Sequence, residues 1–235
     1  MENIINAAGL ESTELNKRIL ESLRKSGEVT IENPHSMHNI GVGLEATGRI
    51  LIKGSTGFYT GGFMDGPGIM LDGNAGWYVG DNMMSGEIVV TKNTGSNAGV
   101  YFCGGTLVIR GGTGSRAGYG MKGGTIIVCG PAGRWAGLMT LGGRLVLLGK
   151  VGKQLGESMY KGALFVADPE AEKNLGGNVF MDEVKPEEAD ALDALFDRYG
   201  INAKAKNLRA VRPSLTGRHS YVLFKPELHP ELARK

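Results

Sequence analysis

The chain's 235 residues are enough for one sizeable core, and its formal net charge of +2 sets up no field that would select nucleic acid or a membrane surface. No window approaches ~18 consecutive apolar residues, so no membrane-spanning helix is expected. Glycine stands apart at 39 residues, more than twice the usual ~7%, and with 41% apolar residues this points to a repeat that turns at fixed places rather than to disorder.

In chain order, the N-terminus MENIINAAGLESTE lacks a basic region followed by an apolar core, so no secretion signal is expected. Ser12-Thr13-Glu14-Leu15 opens a predicted helix with Leu15, Ile19, Leu20 and Leu23 on one side, Ser12 or Thr13 as its cap and Gly27 as its stop. Residues 1–27 are assigned to this capping helix. Glu28-Val29-Thr30-Ile31 reads as a lead-in strand, out of register with the repeat after it. His35 and His38 are spaced like a metal pair, but without a third ligand they read as loop histidines.

From Gly48 the sequence has a 19-residue period that holds for seven cycles: Gly48, Pro67, Gly86, Gly105, Gly124, Gly143 and Gly162 form one column. Two places on lie Ile50, Ile69, Ile88, Leu107, Ile126, Leu145 and Leu164, and four places on lie Ile52, Leu71, Val90, Ile109, Val128, Leu147 and Val166. Each cycle holds one clear strand, and the three or four glycines in its remainder exclude a helix. Three short strands with three turns per cycle fit, and stacking them gives a single-stranded parallel β-helix of about seven coils, right-handed by the crossover rule. The all-β solenoid is assigned to residues 28–178. Met64, Met83, Phe102, Met121 and Met159 form a further inward row broken by Thr140, and Thr56, Ala75, Thr94, Thr113, Ala132 and Val151 a small one.

Two outward features draw attention. Phe58, Tyr59, Trp77 and Tyr78 occupy the same two columns on adjacent coils, where later coils carry Ser96, Asn97, Ser115 and Arg116; they anchor a partner chain or lie buried under the N-terminal region. Between the inward strand rows runs Leu51, Met70, Val89, Val108, Ile127, Val146 and Phe165. Strand alternation turns this row outward, and an apolar stripe of about 29 Å, six steps of ~4.8 Å, is too large to leave wet. The expectation is burial partly by the chain's own C-terminal segment and partly by a partner, with Val89, Val108, Ile127 and Val146 as interface candidates.

Residues 179–235 are assigned to a helix and a basic tail. Pro186 begins the helix, Leu192, Leu195, Phe196 and Tyr199 share one face, and Gly200 ends it. The stretch 200–235 holds eight of the 26 Lys and Arg but two of the 24 Asp and Glu. Without an aromatic platform or recognition motif, docking on the body or on another protein is favoured over RNA.

Catalytic motifs do not emerge. Gly118-Tyr119-Gly120-Met121-Lys122-Gly123 matches G-x-G-x-x-G, but its glycines belong to the ladder and no helix is predicted after it. Cys103 and Cys129 have no motif partner, which fits free thiols in a reducing, cytoplasmic setting and no iron–sulfur cluster held by this chain alone. Asp65, Asp72 and Asp81 fall in or beside turns, where Asp serves local hydrogen bonding.

The run Ala117-Gly118-Tyr119-Gly120-Met121-Lys122-Gly123-Gly124-Thr125-Ile126-Ile127-Val128 resembles the GXGXG β-helix domain that ends the large chain of glutamate synthase and forms the C chain of formylmethanofuran dehydrogenase. His38-Asn39-Ile40-Gly41-Val42-Gly43 and Asn82-Met83-Met84-Ser85-Gly86-Glu87-Ile88-Val89-Val90 are similar to the glutamate-synthase branch. The resemblance covers roughly residues 28–175. It implies a non-catalytic scaffold joining a class-II glutamine amidotransferase chain to an FMN-binding synthase chain, for glutamate or N-methylglutamate synthesis, with FMN and an iron–sulfur cluster on the partners and no cofactor, nucleic acid or membrane bound by this chain. A formylmethanofuran dehydrogenase-type subunit and a free-standing carbohydrate-active β-helix are the alternatives.

Overall fold

Residues one coil apart lie directly above one another. The structure, a computed structural model, describes residues 3–214. Ile50 pairs with Ile69, Ile69 with Ile88 and Ile88 with Leu107, and this parallel register continues to Leu164. The strands are β1 (Ile4–Asn6), β2 (Glu28–Glu32), β3 (Arg49–Lys53), β4 (Gly68–Asp72), β5 (Glu87–Val90), β6 (Thr106–Ile109), β7 (Thr125–Val128), β8 (Arg144–Leu147), β9 (Ala163–Val166), β10 (Val179–Asp182) and β11 (Arg209–Pro213). They form one sheet in the order β1 to β9, then β11 and β10. The small row forms a second ladder of single bridges, Ala75 to Thr94 to Thr113 to Ala132 to Val151.

The lumen holds the predicted rows: the aliphatics at the second and fourth places of the coil are buried, as are Met64, Met83, Phe102, Met121 and Met159. Its hydroxyls are satisfied internally, Thr60 donating to Thr56 Oγ1 at 2.7 Å and Thr140 to the Gly137 carbonyl at 2.8 Å. That satisfaction makes threonine tolerable in an apolar core. Two glycine columns have different causes. A Cβ on Gly76 would lie 2.6 Å from the Gly57 carbonyl carbon, so the column at Gly57 exists to let coils approach. Gly118, at φ +66°, stands in a turn that L side chains resist.

The stack begins one coil before the 19-residue repeat does. Val29 pairs with Ile50 and Ile31 with Ile52, so β2 is a full member of the stack with its side chains in the same rows. β1 extends the ladder once more, pairing with β2. The helix α1 (Ser12–Ser26) then closes this end, placing Leu15, Ile19 and Leu23 in one core with the lumen. Its N-cap is Glu11, and neither Ser12 nor Thr13 caps it, because the turn at Ala7–Leu10 delivers the chain into the helix one residue earlier. Gly27 ends it at φ +74° as predicted. The Asn16 side-chain amide bridges α1 to the next loop, donating to the Asn39 carbonyl at 2.8 Å and accepting from the Gly41 N–H at 2.8 Å.

At the other end the region expected as helix and tail also supplies two strands. β11 lies antiparallel on β9, with β10 antiparallel beyond it, so Val211 enters the lumen core while Ala210 faces outward. Between them α2 (Pro186–Tyr199) crosses the outer face. Arg212 of β11 clamps its start: Nε donates to Asp182 at 2.6 Å, and the two terminal nitrogens grip Glu188 at 3.0 and 2.7 Å. His219 and His229 lie outside the described residues.

Candidate partner-binding surface

The outward strand row divides into a covered and an open part. Val89, Val108, Ile127, Val146 and Phe165 are at most 3% exposed, packed with Leu192, Phe196 and Tyr199 of α2 and with Ala205, Leu208 and Ala210. Lengths explain the division. The 14 residues of α2 span ~21 Å, matching the four coil steps, ~19 Å, from Val89 to Phe165. Its C-terminal end is fastened to β5 and to the end of β6: Tyr199 Oη donates to Glu87, Arg198 meets Glu87 at 3.0 Å, and Arg110 donates to the Tyr199 carbonyl. A cation on that carbonyl also suits the negative end of the helix dipole. Burial, together with the bond to Glu87, pushes the Tyr199 hydroxyl up to about 12.

From strand alternation alone, a partner as well as the chain's own tail is expected over Val89, Val108, Ile127 and Val146. In the structure the chain's own C-terminal segment buries all four. The first two members of the row lie outside this outer core, Leu51 half-buried and Met70 43% exposed. They floor an open groove of about 910 Å³ edged by Glu28, Arg49, Glu87 and Arg198.

The aromatic cluster is not buried under the N-terminal region. Phe58 is 41% and Trp77 50% exposed, with Tyr59 exposed and Tyr78 half-buried. The rings stack along the solenoid, Phe58 on Trp77 at 5.7 Å and Tyr59 on Tyr78 at 4.8 Å between centroids. His38 extends the stack from the preceding coil, 4.7 Å from Phe58, and its Nδ1 accepts the Phe58 N–H at 2.8 Å. His38 is therefore a hydrogen-bonded loop residue and also a rung of the ladder. The repeat conceals this, since His38 stands one place too early to share a column with Phe58.

The same two columns carry a second cluster that sequence reasoning passed over. On the fifth coil Trp135 sits 4.8 Å from the Arg116 guanidinium carbon and 4.5 Å from that of Arg134, which also donates to Gln154 Oε1 at 3.0 Å. Extending the column alignment past Ser115 and Arg116 would have shown it. Tyr59, Tyr78, Arg116 and Trp135 all adopt φ between +60° and +64°, a region that costs a bulky side chain ~1 kcal/mol or more.

Other polar candidates resolve into local structure. Asp65 accepts from the Ser85 hydroxyl and Asp72 from Thr91 Oγ1 at 3.2 Å. Burial raises the Asp81 carboxyl, with the Asn82 amide at 3.3 Å opposing it. These three acids occupy three different columns, so no acid pair forms among them. Cys103 donates to the Tyr101 carbonyl at 3.2 Å, and Cys129 borders the outer core, where burial pushes its thiol up and away from nucleophilic use. Gly118 and Gly120 turn at φ +66° and +62° and lead into β7, so the G-x-G-x-x-G run is a coil corner. Among the described residues no group of His, Cys, Asp and Glu is placed to hold a metal ion, and no helix is long and apolar enough to cross a membrane.

These features define a capped parallel β-solenoid whose candidate working surface is its outward columns. The chain belongs to the GXGXG-motif family, whose model matches residues 8–201. Among solved structures it is similar to a chain of the formyltransferase/hydrolase complex from Methylorubrum extorquens, determined with methylofuran. The TM-score is 0.65 at 22% identity, covering 88% of this chain and 87% of that one. At that identity the likeness establishes the fold. No curated protein matches the chain.

Proposed function

We propose that this chain is a scaffold subunit of a glutamate-synthase-like complex, holding a class-II amidotransferase chain and an FMN-binding synthase chain together. The observation that carries this reading is the aromatic ladder of Phe58, Tyr59, Trp77 and Tyr78. Phe58, Tyr59 and Trp77 stand exposed on the solenoid, and Tyr59 and Tyr78 hold left-handed backbone that a merely structural coil would give to glycine or asparagine. The resemblance of the segments at His38–Gly43 and Asn82–Val90 directs the choice of complex. In this reading FMN and an iron–sulfur cluster reside on the partners, and the product is glutamate or N-methylglutamate. A second reading, a subunit of a formyl-transferring complex, is favoured by the fold shared with the formyltransferase/hydrolase chain.

Purification from the native host separates the two. Companion chains with flavin absorbance that make glutamate or N-methylglutamate support the first reading. A flavin-free complex with formyl-transfer activity overturns it in favour of the second. Within either complex, Trp77→Ala with Tyr78→Ala is expected to weaken partner retention by about 2 kcal/mol, since exposed aromatics are the usual interface anchors. Unchanged co-purification of that variant would remove the ladder from the interface.

A further inference from the structure

The aromatic ladder accounts for the first two coils of its columns and leaves the last three unexplained. There the outward side chains are Arg116, Arg134 and Lys153, one per coil, with Trp135 among them. Neither column contains Asp or Glu on any of its six coils. Several cations elsewhere do have acidic partners: Lys53 has Glu32, Arg198 has Glu87, Arg209 has Glu172, and Arg212 has Asp182 and Glu188. Among the described residues Arg116, Arg134 and Lys153 form no salt bridge, although Arg134 and Lys153 are exposed. Arg116 is held in place instead by Trp135, one coil on in its own column and at φ +60°. A cation fixed by an aromatic, in a left-handed position that asparagine would fill with less strain, is pre-organised for something outside the chain.

The rings say what kind of partner this is. Phe58 lies between His38 and Trp77, Tyr59 stacks on Tyr78, and Trp135 takes the guanidinium of the coil before it. Stacking along the solenoid axis occupies ring faces and turns ring edges outward. Unpaired nucleobases need open ring faces, whereas a protein surface packs against edges and supplies carboxylates. We propose that Arg116, Arg134 and Lys153 form a docking strip for an acidic segment of a partner protein, one presenting carboxylates over the ~10 Å of two coil steps. The proposal rests on the scaffold reading only in requiring a partner chain.

The fold supplies a variant that keeps the coil intact. Asn97 occupies the column of Arg116, and Ser96 and Ser115 occupy that of Arg134 and Lys153. Arg116→Asn with Arg134→Ser and Lys153→Ser therefore installs residues that these columns already accept. The full-length chain is titrated with a short fluorescein-labelled oligoglutamate and with an oligouridylate of equal charge. The expected result is oligoglutamate binding that weakens with salt, is about tenfold weaker in the triple variant, and is at least as tight as oligouridylate binding. No binding of oligoglutamate, or equal binding by the variant, overturns the strip; tighter binding of oligouridylate makes it a nucleic-acid surface instead. A flavin-free native complex would sink the glutamate-synthase reading and leave this result standing, so the two failures are distinguishable.

Discussion

The molecule has two hydrophobic cores built from the same strands, and they differ in what each demands of the rest of the chain. The lumen takes Leu107 and Ile109 from β6 and their counterparts from every coil, so its ladder contacts join residues one repeat apart. The outer core takes Val108 from between them and needs Leu192, Phe196 and Tyr199, whose helix is anchored 111 residues from Glu87. A strand with three consecutive apolar residues is thus one strand serving two cores, as in sheets covered on both faces. One core is closed along its length by repetition and at its ends by α1 and β11, and the other depends on a single helix returning to the right place.

Adjacent residues of β6 test this separation most sharply. Ile109→Asp puts a charge in the sealed lumen, an uncompensated burial worth several kcal/mol, and is expected to abolish folding, read as loss of soluble protein and of the β-sheet circular dichroism signal. Val108→Asp is as buried, but its cost is capped by the free energy of docking α2, which can detach and let water reach the carboxylate. Hydrogen exchange should then rise across 186–199 while 106–109 stays protected. Equal loss of protection in both segments would show that the two cores unfold as one.

A smaller effect is expected where the helix is clamped rather than packed. Arg212→Ala removes the bond to Asp182 and the two-pronged bond to the partly buried Glu188, the latter at about 1–3 kcal/mol for charge-assisted bonds. Arg212 holds the Asp182 carboxyl below its usual range; at Glu188 burial pulls upward most strongly, but Arg212 and Lys185 together outweigh it and the net shift is also down. Depressed carboxyls contribute stability that is complete above their ordinary values of 3.8 and 4.5 and is lost as pH falls below them. Wild type should therefore lose stability below about pH 4 more steeply than Arg212→Ala, measured by urea denaturation across that range.

What was legible in the sequence follows the same divide. The lumen rows, the glycine corners and the apolar face of α2 all repeat at fixed spacing, and spacing is what a sequence displays. The membership of β2 was hidden because its coil carries one extra residue before His38 and another after it. Val29 meets Ile50 two places beyond the repeat and His38 meets Phe58 one place beyond it; only from Ile50 to Ile69 does the count settle. β1, β10 and β11 are short strands with no repeat to announce them, ordered by the edges that they cover. That an apolar outer stripe must be covered was readable from alternation. How far α2 reaches depended on where its end is tied, and the tie is a bond between Tyr199 and Glu87 that no local pattern encodes. Exposure of Phe58 and Trp77 was equally beyond spacing, because the same columns are outward on every coil.

The tie itself gives the finest test of the outer core. Tyr199→Phe removes the hydroxyl that donates to Glu87 but keeps the ring in place among Leu192 and Phe196. Arg198 remains on Glu87 at 3.0 Å, so the carboxylate is not stranded and the loss near neutral pH should be about 1 kcal/mol or less. The larger signature lies at alkaline pH. Burial first, and the bond to Glu87 second, raise the Tyr199 hydroxyl from its ordinary 10 to about 12. Between those values the folded chain keeps a proton that the unfolded chain has released. The hydroxyl's contribution is therefore complete below pH 10 and is lost as pH climbs toward 12. Wild type should lose stability over that window more steeply than Tyr199→Phe, with the difference confined to the α2 segment in hydrogen exchange. Identical slopes for the two proteins would mean that Tyr199 holds the helix by packing alone and that the tie to Glu87 carries no weight.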